Sequence, residues 1–473
     1  MANRIFSLGL VASVAASPTL LKRDNTTMVY SFKDVPITSN IQYIPCYDKF
    51  TCTQLEVPLD YDDLSAGTTN IAFIKHSAPQ QPAMGDIIYN PGGPGGSSIG
   101  DVPLGLPRIV ALLGDSYNIV GMDPRGVNNS GPLLDCFGGK PWLRDYFINK
   151  FFFDVDPLSE ASFSNYYEMT GAFGTWCTQN LNETAKYVNT PATARDMLQY
   201  AELLAESQDK PREEAKVNYY GISYGTVLGT TFAALYPDRV GKFLIDGVVD
   251  GNDYYFGNWS QGPQQADAAV ESFFTLCAEA GEACAFKGNS STAEEIKERF
   301  DGILEDLEKN PIPVTDPHYV VVPTTVTHMD FRNFLTTSLY RPATVFPILA
   351  TLAAGLEKRD GRSTASVTGK GIPPTGACDY RPLGYDSTFY RQVIACNDNN
   401  HNFEITKESL TELFKYERTQ STYIGDVWSM AVIPQCRNLD ISSPASQIFP
   451  GYKNVKTSTP ILFAVLQNWG TAS

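Results

Sequence analysis

From Asn70 to about Asp250, short β-prone runs alternate with helical patterns, and this alternation constrains the chain more than any other feature. A parallel strand can be reached only by a crossover along the sheet face, so the alternation predicts a mostly parallel sheet with helices on both faces. Ile71–Ile74 reads as a strand, and Asp86–Tyr89 runs into Asn90-Pro91-Gly92-Gly93-Pro94-Gly95-Gly96. Tyr117–Met122 ends at Asp123-Pro124-Arg125-Gly126. Thr190 is placed as a helix cap with Pro191 first in the helix, and Ala194, Met197, Leu198, Ala201 and Leu204 share one face. Val217–Tyr220 leads at once into Gly221-Ile222-Ser223-Tyr224-Gly225 and an apolar helix to Tyr236. Val240–Ile245 ends in Asp246-Gly247-Val248-Val249-Asp250.

The pattern changes over residues 251–440, which read as mostly helical. A capping box is expected at Ser291–Glu294, ahead of Ile296, Phe300, Ile303, Leu304 and Leu307. Thr344–Leu356, interrupted by Pro347, reads as a core helix. Gly361–Ala377 is a polar Gly/Ser/Thr/Pro stretch expected to be an exposed mobile loop. Strand character returns at Pro460–Leu466. The expected organisation is a sheet domain over 24–250, a large helical lid over 251–440, and a return to the sheet domain over 441–473.

The charge sum, 36 cations against 52 anions, is −16. A duplex binder needs cations to displace counterions, so nucleic acid and anionic membrane are excluded as partners. Residues 1–23 carry Arg4, an apolar stretch from Ile5 to Ala16, and small residues Val14 and Ala16 at the −3 and −1 positions of a cleavage site. Lys22-Arg23 supplies a second, dibasic site. This is the three-part pattern of a secretory signal, and the protein is expected outside the cell. Sequons at Asn25, Asn128, Asn182, Asn258 and Asn289 agree. The nine cysteines have no CxxC spacing and no nearby histidine, which favours disulfides over zinc. Cys46 with Cys52, and Cys277 with Cys284, are close enough to close small loops. No metal or cofactor is expected.

The chemistry is expected at Ser223. A strand, a Gly-x-Ser-x-Gly turn and a helix are what a nucleophile elbow requires, with Gly221 and Gly225 letting strand and helix approach. The run Gly92-Gly93-Pro94-Gly95 follows an earlier strand, where backbone N–H groups can stabilise a tetrahedral oxyanion. The N–H groups of Gly93 and Tyr224 are the expected donors. The run lacks the Lys-Ser/Thr of a phosphate loop and the spacing of a dinucleotide turn.

With these residues in view, the chain resembles the α/β-hydrolase superfamily, and within it the secreted tripeptidyl-aminopeptidase-like serine exopeptidases related to prolyl aminopeptidases. The matching runs are Val57–Tyr61, Asn90–Gly96, Gly121–Gly126, Gly221–Gly225 with Thr226 and Gly229, and Asp246–Val249; Ile394–Asp398 and Thr459–Leu462 extend them. The resemblance implies an α/β-hydrolase fold and release of short peptides or residues from N-termini. It also implies a bond between Cys396 and Cys436.

In that family the triad acid and the histidine follow the strand matching Pro460–Leu466, and this chain has neither there. Asp246 or Asp250 could supply an acid. His76, His318, His328 and His401 are the histidines, and chain order disfavours His76 as the base. Asp246 and His401 are weak alternatives. The last strand and helix are therefore read as missing, from an incomplete chain rather than an evolved pseudoenzyme, and the activity of these 473 residues by themselves is expected to be low. Two other readings stay open: a secreted glycoprotein that binds peptides without catalysis, and an esterase or lipase-like hydrolase of small esters.

Overall fold

In the structure, a computed structural model, residues 28–152, 155–369, 387–399, 402, 404–431 and 433–464 are described. The signal segment, Asn25, Cys378, His401, residues 370–377 of the 361–377 stretch and the end of the last expected strand lie outside these residues.

Three strands, β1 (Ile37–Thr38), β2 (Ile44–Cys46) and β3 (Phe50–Pro58), lead to β4 (Thr68–His76). Then follow β5 (Asp86–Asn90), helix α1 (Ser98–Leu113) and β6 (Asn118–Met122). Helices α2 (Pro141–Phe151), α3 (Glu160–Asn180) and α4 (Thr190–Glu206) precede β7 (Val217–Ile222), α5 (Tyr224–Leu235) and β8 (Val240–Asp246). The sheet order is β1-β3-β4-β6-β5-β7-β8-β11, where β11 is Ile461–Ala464 and β2 pairs with β3. The β3–β4 and β4–β6 pairs are antiparallel, and β6, β5, β7, β8 and β11 run parallel.

Alternation along each strand builds a core on each face. In β4, Ile71 and Phe73 face the core that takes in α4 and α5, while Ala72 and Ile74 face the one that takes in α1. The strand β3, rich in Thr, Leu and Val, was not expected from the sequence, although the Val57–Tyr61 run ends it.

Between β8 and β11 lie α6 (Gly251–Phe256), α7 (Ala266–Ala280), α8 (Ala293–Lys309), the hairpin strands β9 (Ile312–Val314) and β10 (Thr324–Val326), and α9 (His328–Ser338). They are followed by α10 (Pro342–Leu356), α11 (Arg362–Val367), α12 (Ser387–Asn399), α13 (Lys407–Gln420) and α14 (Gly425–Ser429). Helices α7–α10 and the hairpin close a separate apolar core around Phe273, Phe274, Phe300 and Phe331. By contrast α12 packs into the sheet core through Phe389, Val393 and Ile394.

Three local expectations are corrected. The cap of α4 is Asn189, whose side chain accepts from Ala192 N, so Thr190 and Pro191 both lie inside the first turn. The cap of α8 is Thr292, accepting from Glu295 N, while the Glu295 carboxylate reaches Ser291 N. Each box was read one residue off, because neighbouring polar residues compete equally for the exposed amides. The stretch from Gly361 begins as helix rather than loop, with Thr364 and Ala365 buried.

Four disulfides are present among the described residues: Cys46–Cys52, Cys136–Cys177, Cys277–Cys284 and Cys396–Cys436. Cys136–Cys177 joins the loop after β6 to α3 and had no signal in spacing. No helix among the described residues is long and apolar enough to cross a membrane.

Candidate active site

Ser223 stands at the corner between β7 and α5 with φ 56° and ψ −123°, a conformation in which side chains are rarely held. The corner is locked by its backbone: Ser223 N donates to Asp246 O at 2.9 Å, and Thr226 N donates to Ser223 O at 2.7 Å. The flanking glycines are demanded by contact. A Cβ on Gly221 would lie 2.4 Å from Gly225 O, and one on Gly225 would lie 2.9 Å from Asn90 O. The strand, the helix and the end of β5 therefore meet where only hydrogen fits.

The Gly92–Gly96 loop is pinned against this corner. Asn90 Oδ1 accepts from Gly92 N at 2.9 Å, and Gly96 N donates to Gly92 O at 3.0 Å. Gly93 has φ +122°, and a Cβ there would fall 2.8 Å from the amide nitrogens of both Gly95 and Gly96. The N–H of Tyr224, first residue of α5, is at a position where a helix offers no acceptor of its own. Gly93, Ser223 and Tyr224 line one cavity of about 110 Å³. Its far walls are Tyr254, Trp259, Tyr340 and Trp428, and Arg391 brings a cation to it. Asn258, one of the sequon residues, also lines it, so a glycan there would stand in the cavity.

Arg125 and Asp123, of the run after β6, build the frame. Arg125 is fully buried; its Nε and one terminal nitrogen donate to the two Asp196 oxygens at 2.7 and 2.9 Å. Its remaining donors reach Pro58 O and Leu59 O, and Tyr61 OH donates to Asp196. The Asp-Pro-Arg-Gly run thus supplies the cation of a buried ion pair whose carboxylate is Asp196 of α4, and the Val57–Tyr61 run supplies the surrounding carbonyls and a hydroxyl. Asp123 accepts from Ser97 Oγ, Ile99 N, and Asn129 N and Nδ2, tying the loop after Gly96 to β6. Burial pushes its carboxyl up to about 6, against those hydrogen bonds, which favour the ionised form.

The weaker candidates are dispersed. Asp246 takes Tyr220 OH at 3.3 Å and lends its backbone oxygen to Ser223. Asp250 caps α6 through Asn252 N and Asp253 N. His76 pairs with Ile119 at the start of β6, the opposite end of the sheet from Ser223, and packs on Phe50. His318 is exposed beside Asp316, and His328 opens α9 near Asp156. Among the described residues no imidazole lines the Ser223 cavity, and none contains a cluster able to hold a metal ion. Asn128 donates to Ser97 Oγ, and Asn182 caps a short helical turn at Glu183–Tyr187.

A mostly parallel sheet of order β4-β6-β5-β7-β8, with β4 antiparallel and a strained serine at the β7–α5 corner, is the decisive arrangement, and the comparisons agree with it. A family model described as the alpha/beta hydrolase fold matches residues 87–287. The chain has the α/β-hydrolase fold. It is similar to the tripeptidyl aminopeptidase of Streptomyces lividans, 31% identical over 225 residues, which is 46% of this chain and 39% of the relative. It is similar also to the serine protease Hip1 of Mycobacterium tuberculosis, 31% identical over 206 residues, 42% of this chain and 36% of that one. The putative hydrolase YuaR of Escherichia coli is 24% identical over 269 residues, 55% and 48% of the two chains. The match thus spans less than half the length of these relatives.

Proposed function

We propose that the chain is a secreted serine hydrolase in which Ser223 forms an acyl-enzyme, acting as an exopeptidase that releases short peptides or residues from N-termini. The observation that carries this reading is Ser223 at a positive-φ corner, sharing one cavity with Gly93 and Tyr224. Ser223 Oγ attacks the scissile carbonyl, and the Gly93 and Tyr224 N–H groups receive the developing oxyanion. A preorganised donor of this kind is worth roughly 10²–10³ in turnover. Tyr254, Trp259, Tyr340 and Trp428 wall the cavity with aromatic rings, which suit an apolar side chain of a substrate. Two relatives are named as an aminopeptidase and a serine protease, and four disulfides suit an oxidising compartment.

The test is a fluorophosphonate probe, with and without added imidazole, followed by tripeptide anilides with free or acetylated N-termini. With no described imidazole at Ser223, labelling is expected to be slow in plain buffer, faster with imidazole, and absent in Ser223→Ala. Fast labelling without imidazole also supports the nucleophile and locates a base in the chain. No label at Ser223 under either condition overturns the reading in favour of a non-catalytic peptide binder. Turnover of small esters alone, with no anilide cleaved, overturns the exopeptidase part.

A further inference from the structure

The Ile394–Asp398 run matches the family but does nothing in the mechanism above, and its surroundings assign it a task. Helix α12 lies across the site. At its start, Ser387 O and Arg391 N approach the oxyanion loop so closely that a Cβ on Gly95 would fall 2.9 and 2.8 Å from them. Midway, Arg391 lines the cavity. Near its end, Cys396 is bonded to Cys436, and Asn397 Nδ2 donates to Lys186 O and Val188 O.

Asp398 follows, and it is buried. It accepts Thr190 N at 2.7 Å, Thr190 Oγ1 at 2.5 Å and Tyr254 OH at 2.7 Å. Thr190 has one hydroxyl proton, and it goes to Asp398. The 2.5 Å contact between Thr190 Oγ1 and Tyr224 OH therefore has Tyr224 as donor. The proton order Tyr224 to Thr190 to Asp398 makes a directed relay, and it starts from the residue whose backbone N–H is the expected oxyanion donor. Tyr254, which donates to the same Asp398 oxygen as the Thr190 hydroxyl, is a cavity wall.

We propose that Asp398 is a positioning residue, which acts through Thr190 on Tyr224 and directly on Tyr254 to hold the oxyanion donor and one wall of the cavity in register. The inference rests on the reading of Ser223 as nucleophile. Ionised, Asp398 accepts all three donors; as a neutral acid, one oxygen carries a proton and must give one of them up. Burial pushes this carboxyl up to about 6, so the change falls in mildly acidic conditions.

The experiment uses the full chain labelled with ¹⁵N-tyrosine, the Tyr224 amide signal being assigned by its loss in Tyr224→Phe. Asp398→Asn places an amide donor among donors, and Thr190→Val removes the relay while keeping its shape. Both are expected to move the Tyr224 amide signal, whereas Thr190→Ser, which keeps the hydroxyl, restores it. In imidazole-containing buffer, the phosphonylation rate at saturating probe is expected to fall about tenfold or more in the first two variants, with apparent probe affinity within about threefold. An unmoved Tyr224 amide in Thr190→Val overturns the inference, even if Asp398→Asn does not fold. A protein that takes no label in any form overturns the hydrolase reading, and the amide signal still decides the relay. A moved amide with an unchanged labelling rate per folded molecule overturns the positioning role and leaves a purely structural one.

Discussion

Gly92 stands so close under Ser223 that a Cβ on it would lie 3.0 Å from the Ser223 Cβ and 2.5 Å from the Ile222 carbonyl oxygen. The Gly92–Gly96 loop and the Ser223 corner are thus in close contact, and Gly92 also holds φ +98°. Gly92→Ala is expected to slow phosphonylation of Ser223 at least tenfold and to lower stability by about 1–3 kcal/mol. Gly302, inside α8, has nothing near its missing Cβ, so Gly302→Ala should raise stability by about 0.5–1 kcal/mol. Thermal melts of the two variants with opposite shifts check both statements.

Arg125 and Asp196 are both fully buried and bonded through two contacts. Removing one partner leaves an uncompensated charge, so Arg125→Ala is expected to cost about 3–5 kcal/mol. Because no solvent reaches the pair, the loss should be nearly independent of ionic strength between low and high salt. Chemical denaturation at two salt concentrations measures it; a loss that shrinks with salt would show the pair is reached by water.

Glu417 is buried in α13, and neither carboxylate oxygen has a hydrogen-bond partner among the described residues. Burial, then the neighbouring Asp253, pushes it up to about 9; the Ser429 hydroxyl, which favours the ionised form, is committed to the Asp426 carbonyl at 3.0 Å. A carboxyl raised in the folded state binds a proton that the unfolded chain has lost. Its contribution is therefore whole below about 4.5 and is lost as pH rises toward 9. Glu417→Gln removes that dependence, so its stability relative to the parent should rise from pH 5 to pH 8, by roughly 1–3 kcal/mol at the upper end. Melting curves across that range test the sign, and a constant difference would count against it.

The Cys136–Cys177 bond closes a loop of 41 residues in sequence separation. Chain-entropy reasoning gives such a crosslink about 3–4 kcal/mol. The Cys136→Ala/Cys177→Ala double variant should lose about that much, whereas Cys277→Ala/Cys284→Ala, with a separation of 7, should lose less. Denaturation of the two double variants ranks them.

The elements that position Ser223 were legible because each carries a local demand. Strand-forming runs end in glycine turns, and those glycines are required by contacts within a few residues or across adjacent strands. The relay from Asp398 to Tyr224 was not legible, since its partners are 208 and 34 residues apart in sequence and none belongs to a spacing rule. Arg125 illustrates the intermediate case. The run that holds it and the Val57–Tyr61 run were both visible, but that they grip the same carboxylate follows only from the sheet bringing β3 and β6 to one end. The missed strand β3 has four polar residues in nine, Thr51, Thr53, Gln54 and Glu56, which a reading tuned to apolar runs passes over.

The apolar core around Phe273 and Phe300 shares no residue with the one beneath Ser223. Tyr340, which closes the cavity, follows Leu339 on the first of these, whereas the serine is seated on the second. Substitutions that move Tyr340 can therefore accumulate in one unit without disturbing the packing under the serine, whereas changes at Tyr254 or Trp259 cannot, so one wall of the pocket is free to evolve separately from the rest.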